Sequence, residues 1–251
     1  MIDLTLCMIT KNEETNIERC LKSVAGLVNE IIIVDTGSTD RTIEIARSLA
    51  GNVFKHVIEP FDFSRARNIS LNYAIGKWIL HLDADEELSM KSYNAIEKII
   101  STENNEAYIC DIINLLPEKK KGKFQSIRLF KNNPGIKYKR ACHEEIYFSL
   151  FEQGYKIIES KINIIHYGYQ TSPEILKQKA ERNLEILLKM FEHSNHFLTA
   201  FQIAQSYMVT ENYQESKKYF QIALEDSRCT NDYRKHIEVN LKQLKRSIPK
   251  K

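Results

Sequence analysis

Four carboxylates crowd the end of a short apolar run: Trp78-Ile79-Leu80-His81-Leu82 leads directly into Asp83-Ala84-Asp85-Glu86-Glu87. A run that is hydrophobic on both faces belongs inside a sheet, so acids at its carboxyl end emerge together at the sheet's edge. Open α/β sheets bind their ligands there. Asp83 and Asp85, one residue apart, can both reach a divalent cation together with the oxygens of a ligand; Mg²⁺ and Mn²⁺ prefer such oxygen donors. The same stretch also suits a plain solubilising loop that leads into the next helix, because short acidic motifs recur without function.

The elements that must position these acids are legible upstream. Leu4 to Ile9 reads as a first buried strand, with polar Thr10-Lys11-Asn12-Glu13-Glu14 at its carboxyl end. Thr15-Asn16-Ile17-Glu18 has the spelling of a capping box, and Ile17, Leu21 and Val24 recur at helical spacing. Glu30 to Asp35 repeats the arrangement: a β-branched run ends in an aspartate, and Ser38 or Thr39 can cap a helix through Ile43, Ala46 and Ala50, with Asp40 at its positive end and Gly51 as its stop. A third strand over 52–57 and a helix capped by Ser64 and ended by Gly76 follow. Strands alternating with helices imply right-handed crossovers and a largely parallel sheet over roughly the first hundred residues. Lys11 to Glu13, Asp35 and Asp83 to Asp85 then line one crevice.

After a helix from Met90 to Ile100 the pattern changes. Stretches 107–114, 124–130 and 136–138 read as strands, separated by a basic loop from Glu118 to Lys123 and an Asn133-Pro134-Gly135 turn. The polar segment Arg140-Ala141-Cys142-His143-Glu144-Glu145 interrupts them, and two further strands, 156–159 and 162–165, end at His166-Tyr167-Gly168-Tyr169. From Ser172-Pro173 onward four helices are expected, at about 173–192, 197–208, 212–226 and 231–246, before a frayed Lys250-Lys251. The middle pair carries Ala200, Ala204, Tyr207, Tyr213, Tyr219, Phe220 and Ala223 at tetratricopeptide-like spacing. One repeat cannot bury a solenoid's core. The helices therefore read as an appendage (171–251) packed on a catalytic domain (1–170), with half of a homodimer interface as the alternative.

Taken together, four motifs in order, Ile9-Thr10-Lys11-Asn12-Glu13-Glu14, Val34-Asp35-Thr36-Gly37-Ser38-Thr39-Asp40, Phe63-Ser64-Arg65-Ala66-Arg67-Asn68 and Leu82-Asp83-Ala84-Asp85-Glu86, closely resemble family 2 glycosyltransferases of the GT-A fold. His143-Glu144 and His166-Tyr167-Gly168 resemble elements of a branch with tetratricopeptide-like helices that includes sublancin-type bacterial peptide S-glycosyltransferases. The resemblance implies a UDP-sugar donor, glucose by default, a divalent metal (Mg²⁺ or Mn²⁺), inversion at the anomeric carbon, and a peptide, protein or glycan acceptor. It further implies that Asp35, Glu13 and the Thr10 backbone frame the nucleoside and that Arg67 meets diphosphate or base. Asp83 would contact ribose and metal, Asp85 would bind the metal, and His166 would be a third ligand, unless it is a core histidine bonded to backbone. Glu144 is the candidate base, with His143 assisting and Glu145 as its competitor; His81 reads as structural, and Glu86 and Glu87 as supporting or helix-leading residues. The Gln-x-x-Arg-Trp segment of processive synthases does not occur.

The composition narrows the field. A net charge of +3 over 251 residues gives no general reason to bind nucleic acid. Five widely spaced cysteines without a C-x-x-C pair suit reduced thiols in a cytoplasm and do not suit a zinc site. The start of the chain lacks the sections of a signal peptide, and no apolar run approaches the length of a transmembrane segment. No G-x-G-x-x-G follows the first strand, which disfavours a nicotinamide enzyme. The competing reading from another class is a noncatalytic adaptor that senses nucleotide and binds a protein through its carboxyl-terminal helices.

Overall fold

The computed structural model describes residues 3–247 except Gly51, Glu103, Asn105 and Thr171; the expected helix stop at Gly51 and frayed Lys250-Lys251 lie outside the described residues. The chain divides into two compact units, Met1–Gln170 and Thr171–Lys251.

The first unit is built on an eight-stranded mixed sheet. Its strands are β1 (Leu4–Thr10), β2 (Glu30–Asp35), β3 (Val53–Lys55), β4 (Trp78–His81), β5 (Glu86–Leu88), β6 (Glu106–Leu115), β7 (Lys121–Lys131) and β8 (Lys156–His166), in the order β3-β2-β1-β4-β7-β6-β8-β5. The first four run parallel and β8 runs parallel to β6, while β7 pairs antiparallel with β4 and β6, and β5 antiparallel with β8. Around it lie α1 (Ile17–Lys22), α2 (Thr42–Ala50), α3 (Phe63–Tyr73), α4 (Tyr93–Ile100) and α5 (Tyr147–Glu152).

Helices on both faces explain why the early strands are apolar throughout. Leu4, Leu6 and Met8 of β1 pack into one core cluster with Ile17, Leu21 and Leu80, whereas Cys7, one step out of phase, packs into the other with Ile79 and Phe130. Leu6, Met8 and Leu80 are fully buried, each contributing about 2 kcal/mol of transfer free energy. The chain winds from β1 outward to β2 and β3, then returns to place β4 on the opposite side of β1. That reversal creates a switch point between the carboxyl ends of β1 and β4, where a ligand crevice opens.

Several local expectations are corrected. Asp62, not Ser64, caps α3: its carboxylate accepts from the Arg65 amide at 2.9 Å and from the Ser64 hydroxyl at 2.7 Å. At α2 the Thr42 amide donates to Asp40 at 3.0 Å, because the Ser38 hydroxyl is turned to Asp35 and the Thr39 amide to Asn12. The capping box at α1 does not form, since the cap residue is Asn16 and its side chain engages Glu13 and Arg19. Gly76 does not terminate α3, which ends at Tyr73. Its role is close approach: a Cβ there would lie 2.4 Å from Thr5 Oγ1, which accepts the Gly76 amide at 3.1 Å and donates to Glu30 at 2.6 Å. Residues 136–138 form no strand; Ile136 and Tyr138 instead turn into the second core cluster. The two strands expected over 156–165 are one, with a register shift opposite Ile109 to Asp111.

The second unit consists of α6 (Pro173–Ser194), α7 (Phe197–Val209), α8 (Tyr213–Glu225) and α9 (Asn231–Ser247), within two residues of the expected bounds. Ser172 caps α6, accepting from the Ile175 amide at 3.4 Å. Small residues let α7 and α8 approach: Ala200, Ala204 and Ala223 are fully buried around Phe220, and the Ser216 hydroxyl donates to the Ala204 carbonyl at 2.8 Å. Ile237 and Leu244 of α9 complete this core.

Candidate active site

Thr10 and Asp35 face each other at the ends of β1 and β2, in register and joined by the Thr36 amide donating to the Thr10 carbonyl at 2.9 Å. Asp35 is 1% exposed and organises its own loop, accepting from the Gly37 and Ser38 amides at 3.0 Å each and from the Ser38 hydroxyl. Three of its roughly four acceptor positions are thereby used, leaving one for a ligand. Thr10 Oγ1 is buried without a hydrogen-bond partner. On the same side the Glu13 amide donates to Thr42 Oγ1 at 2.8 Å, and the Glu13 carboxylate accepts from Asn16 at 2.8 Å. Asn12 adopts φ 57° and accepts from the Thr39 amide at 2.8 Å, which fixes this loop to the one after β2.

At the end of β4 the chain turns within Asp83-Ala84-Asp85 and re-enters the sheet as β5. The Glu86 amide donates to the Asp83 carbonyl at 3.0 Å, and the Glu86 carboxylate accepts the Asp83 amide at 2.8 Å. Both Asp83 oxygens are already paired, Oδ1 with Arg67 Nη2 at 3.0 Å and Oδ2 with Arg128 Nη2 at 3.2 Å. Burial opposes the Asp83 charge, yet the two guanidinium groups hold its carboxyl well below the usual carboxylate range. Arg128 also binds Glu86 at 2.7 Å. Glu86, 1% exposed, is pushed up to about 7 by its burial, against the pull of Arg128. Glu86 is therefore a buried member of the site and not a residue leading into a helix.

Arg67 is the hub of this network. It reaches from α3 to Asp83, to Glu144 through Nε, and to His81 Nδ1 at 3.4 Å. His81 is 4% exposed, accepts or donates at Nδ1 with the Tyr138 hydroxyl at 2.6 Å, and is kept neutral chiefly by burial. These groups surround a cavity of about 240 Å³ lined by Arg67, His81, Arg128, Tyr138, Glu144 and Tyr147. The segment carrying Glu144 is held over it by paired backbone bonds between Lys139 and Glu145 and by the Phe63 amide donating to the Ala141 carbonyl at 2.8 Å. Glu144 points inward; His143, exposed and at φ 52°, has its pKa lowered by desolvation, which outweighs the effect of the Glu144 charge.

Asp85 has a different neighbour. Its Oδ2 stands 3.4 Å from His166 Nε2 at the end of β8, and the Tyr167 amide donates to the Asp85 carbonyl at 2.9 Å. Tyr167 is pinned in turn by its hydroxyl bond to Glu87 at 2.6 Å and by the Arg19 guanidinium 3.5 Å over its ring. A divalent ion about 2.1 Å from each of two donors spans roughly this separation. Asp85 and His166 thus stand at a separation that such an ion could bridge. No cluster of three or more His, Cys, Asp or Glu donors able to hold a metal occurs among the described residues. Mg²⁺-type sites commonly use one or two carboxylates and take their remaining oxygens from phosphate and water.

The fold therefore gathers Thr10, Glu13 and Asp35 on one side of the crevice, Arg67, Asp83 and Glu144 on the other, and Asp85 with His166 beyond the turn. Arg128 and Tyr138 were not singled out by sequence, and of the two readings of Glu86 the supporting one holds, through its pairing with Arg128. Arg128 sits in β7 between Ile127 and Leu129, where a charge inside an apolar run was the available signal; Tyr138 lay in a run mistaken for a strand.

Comparison with known proteins agrees with this architecture. Residues 5–159 match the family described as glycosyl transferase family 2. A TPR repeat-containing protein of Synechococcus elongatus is 37% identical over 178 residues, covering 67% of this chain and 43% of that protein. The SPbeta prophage-derived glycosyltransferase SunS of Bacillus subtilis is 27% identical over 241 residues, 94% of this chain and 56% of the relative. An uncharacterized glycosyltransferase of Rickettsia typhi is 35% identical over 117 residues, 46% of this chain and 39% of the relative. The chain thus spans 39% to 56% of the length of these curated relatives. Among solved structures, S. aureus TarS aligns with a TM-score of 0.54 at 14% identity over 98% of this chain and 55% of its own. A TarS structure in complex with UDP-GlcNAc aligns with a TM-score of 0.52 at 13% identity, covering 98% of this chain and 82% of that one. At these identities the likeness is one of fold.

Proposed function

The chain belongs to glycosyl transferase family 2, and we propose that it moves a hexose, glucose by default, from a UDP-sugar to a peptide, protein or glycan acceptor with inversion. The observation that carries this reading is the placement of Asp85 opposite His166 at 3.4 Å, beside the crevice flanked by Thr10 and Asp35. The donor class is supported by the UDP-GlcNAc held by the TarS fold neighbour. The five buried, unpaired thiols support a cytoplasmic setting; among the described residues no helix is long and apolar enough to cross a membrane.

In the proposed reaction Asp35, with the Thr10 to Glu13 loop, holds the nucleoside, and Asp83, braced by Arg67 and Arg128, contacts the ribose. Asp85 and His166 would hold Mg²⁺ or Mn²⁺, which would supply positive charge to offset the negative charge developing on the leaving diphosphate. Glu144 takes the acceptor proton as the acceptor atom bonds the anomeric carbon and the bond to the diphosphate breaks. Arg67 pairs with that carboxylate and keeps it aimed into the cavity. His143 then contacts phosphate or acceptor from the rim. Residues 1–170 are the proposed transferase domain, and the tetratricopeptide-like helices of 171–251 the proposed acceptor-recruiting appendage; the division into two compact units supports this.

The test is UDP release from a panel of UDP-sugars with Mn²⁺, compared between wild type and Asp85→Ala. Metal-dependent release that disappears in the variant, with the circular dichroism spectrum unchanged, is expected. Equal release from both proteins would overturn the metal assignment.

A further inference from the structure

His166 lies between two residues whose chemistry decides what its ring can do. On one side its Nδ1 is 2.7 Å from Asn114 Oδ1; Asn114 stands opposite His166 in the β6–β8 register. An amide oxygen only accepts, so this bond places a ring proton on Nδ1 and, in the neutral ring, leaves the Nε2 lone pair directed away from β6. Nε2 is the atom that stands 3.4 Å from Asp85 Oδ2. On the other side is Gly168. A Cβ at this position would lie 2.5 Å from Asp85 Oδ2, 2.5 Å from His166 Nε2 and 2.9 Å from His166 Cε1. Heavy atoms cannot approach so closely, so any side chain at 168 must displace the carboxylate, the imidazole or both from their present facing positions. The loop cannot simply move away, because the Tyr167 amide is bonded to the Asp85 carbonyl at 2.9 Å and the Tyr167 ring is held by Glu87 and Arg19.

We propose that Asn114 and Gly168 are positioning residues that make Asp85 and His166 a two-donor clip for a divalent cation: Asn114 sets the tautomer that frees Nε2, and Gly168 omits the one atom that would displace the donors. The inference rests on the metal reading above and adds to it two residues outside the ligand set. Second partners of ligating histidines typically govern metal affinity by 10- to 100-fold, and the clip, with only two protein donors, is sensitive to either change.

The experiment is Mn²⁺ titration in the presence of UDP, followed by electron paramagnetic resonance, on wild type, Asn114→Leu, Asn114→Asp and Gly168→Ala. UDP binding without metal and the far-ultraviolet circular dichroism spectrum serve as controls for the fold. Asn114→Leu and Gly168→Ala are expected to weaken Mn²⁺ by roughly 10- to 100-fold with metal-free UDP binding unchanged. Asn114→Asp, which keeps an acceptor on Nδ1, is expected to hold Mn²⁺ close to the wild-type level. Nitrogen-15 chemical shifts should report the Nδ1–H tautomer at His166 in wild type and Asn114→Asp and its loss in Asn114→Leu. Wild-type Mn²⁺ affinity in folded Asn114→Leu or Gly168→Ala would overturn the inference and leave the metal reading standing. Absence of Mn²⁺ binding by wild type with UDP would instead overturn the metal reading itself.

Discussion

Arg67 and Glu144 form a buried ion pair that joins helix α3 to the loop closing the cavity, their side chains only 8% and 13% exposed. Because Arg67 also pairs with Asp83 at 3.0 Å, its removal strands two carboxylates at once. Arg67→Ala is expected to destabilise the first unit by about 3 kcal/mol, the usual cost of breaking a buried pair from one side. Arg67→Lys restores the charge without the fork that reaches both partners, so it should recover only part of the loss. Urea unfolding midpoints measure both; an Arg67→Ala midpoint equal to wild type contradicts the network.

Glu144→Gln preserves shape and removes the proton acceptor. Turnover should fall about 10²- to 10⁴-fold, the range for loss of a general base, while UDP affinity stays within a factor of two or so. A thiol acceptor, which ionises near pH 8.5, should show a smaller loss than a hydroxyl acceptor, and raising the pH should narrow it further. Weakened UDP binding at unchanged turnover would move the base elsewhere, with Glu145, which lines the same cavity, next in line.

The buried thiols make stability depend on pH in a definite direction. Burial raises Cys7 and Cys20 well above the ordinary 9.0 and pushes Cys110 up to about 12. In the unfolded chain the same thiols ionise near 8.5. A folded value above the unfolded one means that the folded chain binds more protons once the pH passes the unfolded pKa. Stability is therefore fully present below about pH 8.5 and declines above it, by up to about 1.4 kcal/mol per pH unit for each such thiol. Urea midpoints at pH 7.5 and 9.5 should differ accordingly, and Cys110→Ala should flatten the slope. An identical midpoint at both pH values rules this out.

The parallel half of the sheet was readable because each strand carries its own signal: a run apolar on both faces, ending at an acid or a polar loop, as at Asp35 and Asp83. The four carboxyl-terminal helices were readable for a similar reason, since their periodicity is local and Ser172-Pro173 marks where they start. What failed to show in the sequence depends on distant partners. β5 is three residues long, Glu86 to Leu88, and is a strand only because β8 pairs with it from far along the chain. Glu86 consequently read as either a supporting or a helix-leading residue, and only Arg128 and the sheet that enclose it decide for the first. The aromatic α5, Tyr147–Glu152, is one and a half turns and carries no spacing long enough to register. Asp62 displaced Ser64 as cap because two polar residues stood near the helix start and only three-dimensional entry angle chose between them.

The contact between Tyr167 and Glu87 spans eighty residues of chain, and that distance gives the clip a history during synthesis. The Asp83 to Asp85 turn leaves the ribosome while β8 is still untranslated, so the early chain can pair β1, β2 and β4 but has no imidazole to set against Asp85. Only when β8 slots between β6 and β5 does His166 arrive opposite Asp85. The two faces of the proposed clip are thus joined by the last strand to enter the sheet and by none of the strands that precede it.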